Sequence, residues 1–156
     1  DAKITYGTGA FLVANVGPTP VASTSRLLGT LGYQVGSVET PDVAYALEGS
    51  IFSAGSAIQW LRDSVGMISD SRQSEAVAQT LPDNGGVYLV PAFTGLGAPW
   101  WEPEARGVLS GLTRDTRPAH FVRVALEALV YQTHDLLEAL ARYGSLPLSR
   151  SQEHTS

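Results

Sequence analysis

Over the first 51 residues apolar and polar positions alternate in short runs broken by glycine and proline, the two-residue period of strands. Residues 2–16 read as two strands rich in β-branched and aromatic side chains, joined by Gly7-Thr8-Gly9 and ended by Gly17-Pro18-Thr19-Pro20. A loop through Ser23-Thr24-Ser25 leads to a predicted third strand over 27–31, with a glycine-rich turn after it. A further strand is expected over 43–51, with Glu48 and Gly49 near its end. At Ser53 the period changes. Ala54, Ala57, Ile58, Leu61 and Val65 recur at three and four residues, which predicts a helix capped by Ser53 and closed by a left-handed Gly66. Residues 69–80 predict a short surface helix with Asp70 or Ser71 near its cap, 82–86 a turn, 86–93 a short buried strand and 108–112 an edge strand. The longest helix is expected over 117–143, capped by Thr116, with Pro118 in its first turn and Gly144 after its end. Val122, Ala125, Leu126, Leu129, Leu136, Leu140 and Tyr143 form its apolar stripe, broadened by Phe121, Val124 and Ala128, so most of it is expected to be buried.

Chemistry enters at three places in this pattern. Two glycines flanking a threonine give a tight turn whose backbone N–H groups can face an anion, with the Thr8 hydroxyl at its apex. The turn suits a phosphate, and it equally suits an ordinary hairpin. On the first helix Gly55 and Gln59 are four apart and share the face opposite the apolar one. A glycine in a helix costs about 1 kcal/mol relative to alanine, so Gly55 calls for close approach of a ligand or of another backbone, or for tight packing on the sheet. The loop 94–107, with Trp100 and Trp101, is too long and aromatic for a mere connection; it either lids the core, makes a subunit contact or touches a ligand. His134 and Asp135 are adjacent on a helix, about 100° apart, and cannot share one site. His120 and His154 are too scattered to build a metal site with His134, so no metal ligands are assigned.

Composition narrows the partners. The 156 residues allow one domain with a core, with 44% apolar and 16% charged positions. The formal net charge of −5 has no basic run to offset it, which argues against nucleic acid and anionic lipid. A bound phosphate must therefore be met by local dipoles or a metal ion. No apolar run reaches the roughly 20 residues of a membrane span, and the start lacks the regions of a signal peptide. Cysteine is absent, which excludes disulfides and fits the expected cytoplasmic location.

Thr5-Tyr6-Gly7-Thr8-Gly9, Ala46-Leu47-Glu48-Gly49, Ile58-Gln59-Trp60-Leu61-Arg62-Asp63, Val90-Pro91-Ala92-Phe93-Thr94-Gly95-Leu96-Gly97-Ala98-Pro99 and Tyr131-Gln132-Thr133 occur in this order. At these spacings the chain resembles the second domain of glycerol kinases, in the FGGY carbohydrate kinase family. The resemblance covers residues 1–150, with 151–156 reading as a tail or an appended remnant. It implies an α/β fold of the ribonuclease H-like, actin-like ATPase type, a mixed sheet with helices packed on it, and a second domain across a cleft. A complete domain in that family continues into a strand ending in Asp-Gly-Gly, so the resemblance implies a C-terminally truncated domain. It further implies ATP and Mg2+ as cofactors and glycerol as acceptor. By the same resemblance Thr8, Gly55 and Gln59 are expected on the nucleotide and Phe11 on the carbon side of glycerol. The catalytic Asp is expected on the missing N-terminal domain, so the chain alone is expected to be inactive. Val124 stands where the family's second signature, here over 107–127, normally has Ala or Ser. A non-catalytic interaction module, a homo-oligomer, or the same domain of another FGGY sugar kinase are the competing expectations.

Overall fold

A computed structural model describes residues 1–143; the expected helix stop at Gly144, the domain boundary at 150 and the tail over 151–156 lie outside the described residues. Four strands, β1 (Ala2–Tyr6), β2 (Ala10–Gly17), β3 (Leu28–Gly36) and β4 (Pro41–Ile51), form one sheet in the order β1-β2-β4-β3, each neighbour antiparallel. Helix α1 (Gly55–Asp63) follows, then a 3₁₀ turn (Ser71–Gln73) and α2 (Ser74–Gln79). The short strands β5 (Tyr88–Val90) and β6 (Val108–Ser110) pair with each other, and α3 (Pro118–Ala141) closes the described chain.

The opening hairpin follows the two-residue period: Ala10, Leu12 and Ala14 are buried while Phe11 and Val13 stay open. Strand β3 runs further than expected. Its glycines are not a turn, because Gly32 makes the bulge between Leu31 and Tyr33 and a Cβ there would come 3.1 Å from the Ala44 carbonyl.

The long helix divides its work. Its second half lays Leu136, Ala139 and Leu140 on the sheet residues Leu12, Leu47 and Ile51, approaching so closely that a Cβ on Gly49 would be 2.8 Å from Leu136. Its first half puts Val122 and Ala125 against Ala57 and Leu61 of α1 and against Ile68. The sheet and α1 therefore pack on successive halves of α3, each in its own apolar cluster.

Several expected details change. Ser53 does not cap α1: the cap position is Ala54, with no side-chain bond to the helix. Val65 lies beyond the helix and is 39% exposed, outside the apolar stripe. Gly66 does turn left-handed, φ 72°, as Met67 N–H donates back to the Leu61 carbonyl. Thr116 does not cap α3 either, since its hydroxyl accepts from Thr113 N–H while the His120 ring Nδ1 accepts from Arg117 N–H. The strand expected over 86–93 is only three residues long and half-exposed, because its one partner is the equally short β6. Asp70 does cap the 3₁₀ turn, accepting from Arg72 N–H.

Candidate functional site: the Gly7–Thr8–Gly9 turn on helix α1

An α-helix begins with four backbone N–H groups that need outside acceptors. In α1 three N–H groups at its start find the carbonyls of the opening turn, while Ala57 N–H donates to the Ala54 carbonyl. Ala54 N–H and Ser56 N–H donate to the Thr8 carbonyl at 2.9 and 3.1 Å, and Gly55 N–H donates to the Gly7 carbonyl at 2.9 Å. This explains Gly55: a Cβ there would lie 2.6 Å from the Gly7 oxygen, so only glycine lets the turn dock on the helix. Gly9 is required in the same way, since its Cβ would meet the Ile51 carbonyl at 2.5 Å.

The docking fixes the other side of the turn. In a planar trans peptide the C=O and N–H point in opposite directions. With the Gly7 and Thr8 carbonyls aimed at α1, the N–H groups of Thr8 and Gly9 point away from it. Neither N–H, nor the Thr8 hydroxyl, has a hydrogen-bond partner among the described residues. The helix N-terminus carries about half a positive charge. It polarises the two carbonyls, and bonded groups in series strengthen one another as donors. The turn thus presents three adjacent donors without any cationic side chain, an arrangement that fits a phosphate oxygen.

Two braces from α3 hold this junction. Thr133 donates its hydroxyl to the Leu129 carbonyl at 2.8 Å and so accepts from Tyr6 OH at 3.2 Å, immediately before the turn. Gln132 amide Nε2 lies 3.5 Å from the Ser53 carbonyl, immediately before α1. The sequence marks Tyr131-Gln132-Thr133 only as part of a resemblance; its bracing role depends on contacts across the whole chain. Ser56 Oγ is left buried beside the turn with no hydrogen-bond partner.

The expected residues are distributed as follows. Thr8 and Gly55 come together at this junction, Gly55 bonded to Gly7 and Thr8 to Ala54 and Ser56 on either side of it, and Gln59 is exposed one helical turn further along α1. Phe11, three residues after Thr8, is half-exposed on the open face of the sheet, paired with Thr5 on one side and Ser50 on the other. Trp101 is held inward, its indole N–H donating to the Arg26 carbonyl and its ring edge-on to Phe52, while Trp100 is open. The perturbed titrating groups belong elsewhere: hydrogen bonds from Arg72 hold the Asp70 carboxyl at about 2, and desolvation, then the Glu127 carboxylate, raise the Tyr131 hydroxyl beside Tyr88. Among the described residues no cluster of His, Cys, Asp or Glu could hold a metal ion. No helix among them is long and apolar enough to cross a membrane.

The fold is α/β and of the ribonuclease H-like, actin-like ATPase class: glycerol kinase from Plasmodium falciparum, solved with ADP, superimposes with a TM-score of 0.81 at 38% identity, covering 91% of this chain and 28% of its own. Residues 2–150 match the C-terminal domain of the FGGY family of carbohydrate kinases, and the chain belongs to that family. Glycerol kinase from Rhodospirillum centenum is 57% identical over 145 residues, 93% of this chain and 28% of the relative. Glycerol kinase from Alcanivorax borkumensis is 59% identical over 139 residues, 89% of this chain and 27% of the relative. The chain therefore spans little more than a quarter of the length of these relatives.

Proposed function

We propose that the chain is the nucleotide-side domain of an ATP-dependent glycerol kinase, which moves the terminal phosphoryl group of ATP to a hydroxyl of glycerol and yields glycerol 3-phosphate. One observation carries this reading: the opening turn is clamped to α1 by its carbonyls, which orients the Thr8 and Gly9 N–H groups away from the helix and leaves them and the Thr8 hydroxyl without a partner among the described residues. Bound ATP supplies the activated phosphoryl group. Thr8 then donates to a phosphate oxygen that gains charge during transfer, where one preorganised donor is worth about 3 kcal/mol. Gly55 and Gln59 lie along the nucleotide. Phe11 packs on the carbon side of glycerol and adds shape selectivity without a hydrogen bond. Identity above half to glycerol kinases supports glycerol as the acceptor over the sugars used elsewhere in the family.

Among the described residues no cluster fits a Mg2+ site, so the proposal takes the protein ligands of the ion that accompanies the nucleotide from elsewhere in the enzyme. The catalytic carboxylate likewise belongs to the domain across the cleft. The proposal extends to a cytoplasmic location, which the absence of cysteine fits.

Calorimetric titration of the chain with ADP and ATP tests the reading. Saturable binding is expected, weakened about tenfold by Thr8→Val and several-fold by Gln59→Ala, since a hydrogen bond to a charged group contributes roughly 1.5–3 kcal/mol. No glycerol phosphorylation is expected until the N-terminal domain is supplied. A folded chain that binds neither nucleotide, or binds both undiminished after Thr8→Val, rejects it.

A further inference from the structure

Among the described residues only two that are not glycine have a left-handed backbone, Arg26 at φ 63° and Trp101 at φ 54°. They are tied to each other, since the Trp101 indole N–H donates to the Arg26 carbonyl at 2.7 Å. Large side chains rarely sit in that region, and those that do concentrate at ligand clamps and active sites. What this clasp fixes is one wall of a cavity of about 230 Å³ beside α3. Residues 24–26 form that wall, Pro99 and Trp100 a second, and Asp135, Glu138 and the cap residue Arg142 on one face of α3 the third. The loop wall is preorganised from both ends: Ser23 Oγ accepts from Ser25 N–H and Leu27 N–H at 3.2 and 3.0 Å, and the clasp holds the carbonyl between them.

The polar groups of the cavity divide into used and unused. Glu138 and Arg142 meet each other at 3.7 Å. Asp135, partly buried on α3, and Arg26, on the loop wall, have no ion-pair partner among the described residues, each other included. The Ser25 hydroxyl, in the same wall as Arg26, is buried and has no hydrogen-bond partner there. Trp100, 49% exposed, adds an aromatic surface. An unpaired carboxylate and an unpaired guanidinium lining one cavity are best met by an occupant that carries both opposite charges, because charge-assisted hydrogen bonds are about twice as strong as neutral ones.

We propose that this cavity is a binding site for a free α-amino acid with an apolar side chain. Its ammonium donates to the Asp135 carboxylate, its carboxylate accepts from the Arg26 guanidinium and the Ser25 hydroxyl, and its side chain lies on Trp100 and Pro99. The cavity is smaller than the pockets of drug-sized ligands, which suits a molecule of this size. A neutral polyol would leave both charges without a counter-charge, and a simple anion or cation would satisfy only one of them. No residue of residues 7–9 or of α1 lines the cavity, so the site stands apart from the nucleotide reading.

Titration of the chain with L-phenylalanine, followed by calorimetry and by tryptophan fluorescence excited where phenylalanine does not absorb, tests the site. Saturable binding is expected. Phenylpropionate, which lacks the ammonium, and phenethylamine, which lacks the carboxylate, are each expected to bind about tenfold or more weakly, because each loses a charge-assisted bond. Sorbitol, neutral and rich in hydroxyls, is expected not to bind. Asp135→Asn should lower the affinity for phenylalanine about tenfold. Arg26→Gly should do the same while the thermal midpoint holds, since glycine takes a left-handed φ without strain and the loss of binding is then not a loss of fold. Affinity for ADP should be unchanged in both variants, which separates failure of this site from failure of the nucleotide reading. The absence of saturable phenylalanine binding overturns the proposal, as do single-charge analogues or sorbitol that bind as well as phenylalanine, or an affinity undiminished in Asp135→Asn or Arg26→Gly.

Discussion

Hairpin β1–β2 turns through Gly7-Thr8-Gly9 with its carbonyls held by the start of α1, whereas hairpin β3–β4 turns through residues 37–40 and is held by its own hydroxyls. Both turns set a hydroxyl residue beside a glycine, Thr8 between Gly7 and Gly9 and Ser37 directly after Gly36, and both join strands of one sheet. In the second, Ser37 Oγ is consumed locally, 2.9 Å from Thr40 Oγ1 and accepting from Thr40 N–H, while Val38 projects at 95% exposure. In the first the hydroxyl stays free, because the helix satisfies the turn from behind. A glycine–hydroxyl turn becomes a candidate anion site when another element fixes the direction of its peptides, and composition alone does not tell the two apart.

The largest effect should come from prising that buttress loose. Gly55→Ala puts a Cβ 2.6 Å from the Gly7 backbone oxygen, which cannot move without undocking the turn, and overpacking of this kind costs about 1–3 kcal/mol. Urea unfolding should show it as a lowered midpoint at constant slope. Gly7→Ala is the control: its Cβ meets nothing nearer than the Gly9 oxygen at 3.9 Å, so less than about 0.5 kcal/mol is expected. Equal costs for the two would remove the buttress from the explanation.

A smaller loss is expected from the brace behind the turn. Thr133→Val keeps the shape of the side chain but leaves Tyr6 OH without its acceptor, a change of about 1 kcal/mol. Amide shifts of Thr8 and Gly9 should move in the NMR spectrum while those of residues 37–40 stay in place. If both tips respond alike, the perturbation is spreading through the sheet, and the first turn is no more tightly held than the second.

These contrasts also mark how far the sequence could be read. The glycine turn, the antiparallel opening strands and both long helices were legible because each rests on spacing within a few residues, as with Ala57 and Leu61 on α1 or Leu136 and Leu140 on α3. The cap of α1 was not. Ser53 has the right chemistry at the right distance, but the turn carbonyls reach the helix first, through a contact between segments far apart in the chain. Gly55 was legible as a position where something approaches closely, and the something is backbone. The bond from Tyr6 to Thr133 joins residues 127 positions apart, and no local pattern encodes it. Helix spacing puts Gln59 on the face of Gly55, whereas the family resemblance alone assigns Phe11; both are open to solvent, on α1 and on β2 respectively.

The smallest effect belongs to the unbuttressed tip and completes the comparison. Ser37→Ala removes the acceptor for Thr40 N–H and the partner of the Thr40 hydroxyl, yet all of these groups are exposed. Water takes their place, so the stability change should stay within about 0.5 kcal/mol. The Thr40 amide should exchange with solvent faster, since its protection comes from the lost bond and not from burial. Exchange at Ala54, Gly55 and Ser56, whose N–H groups are tied to the other turn, should be unchanged. A loss at the β3–β4 tip comparable to that of Gly55→Ala would mean that its local hydroxyl bonds hold a turn as firmly as a docked helix does, and the distinction between the two hairpins would then lie in something other than support from behind.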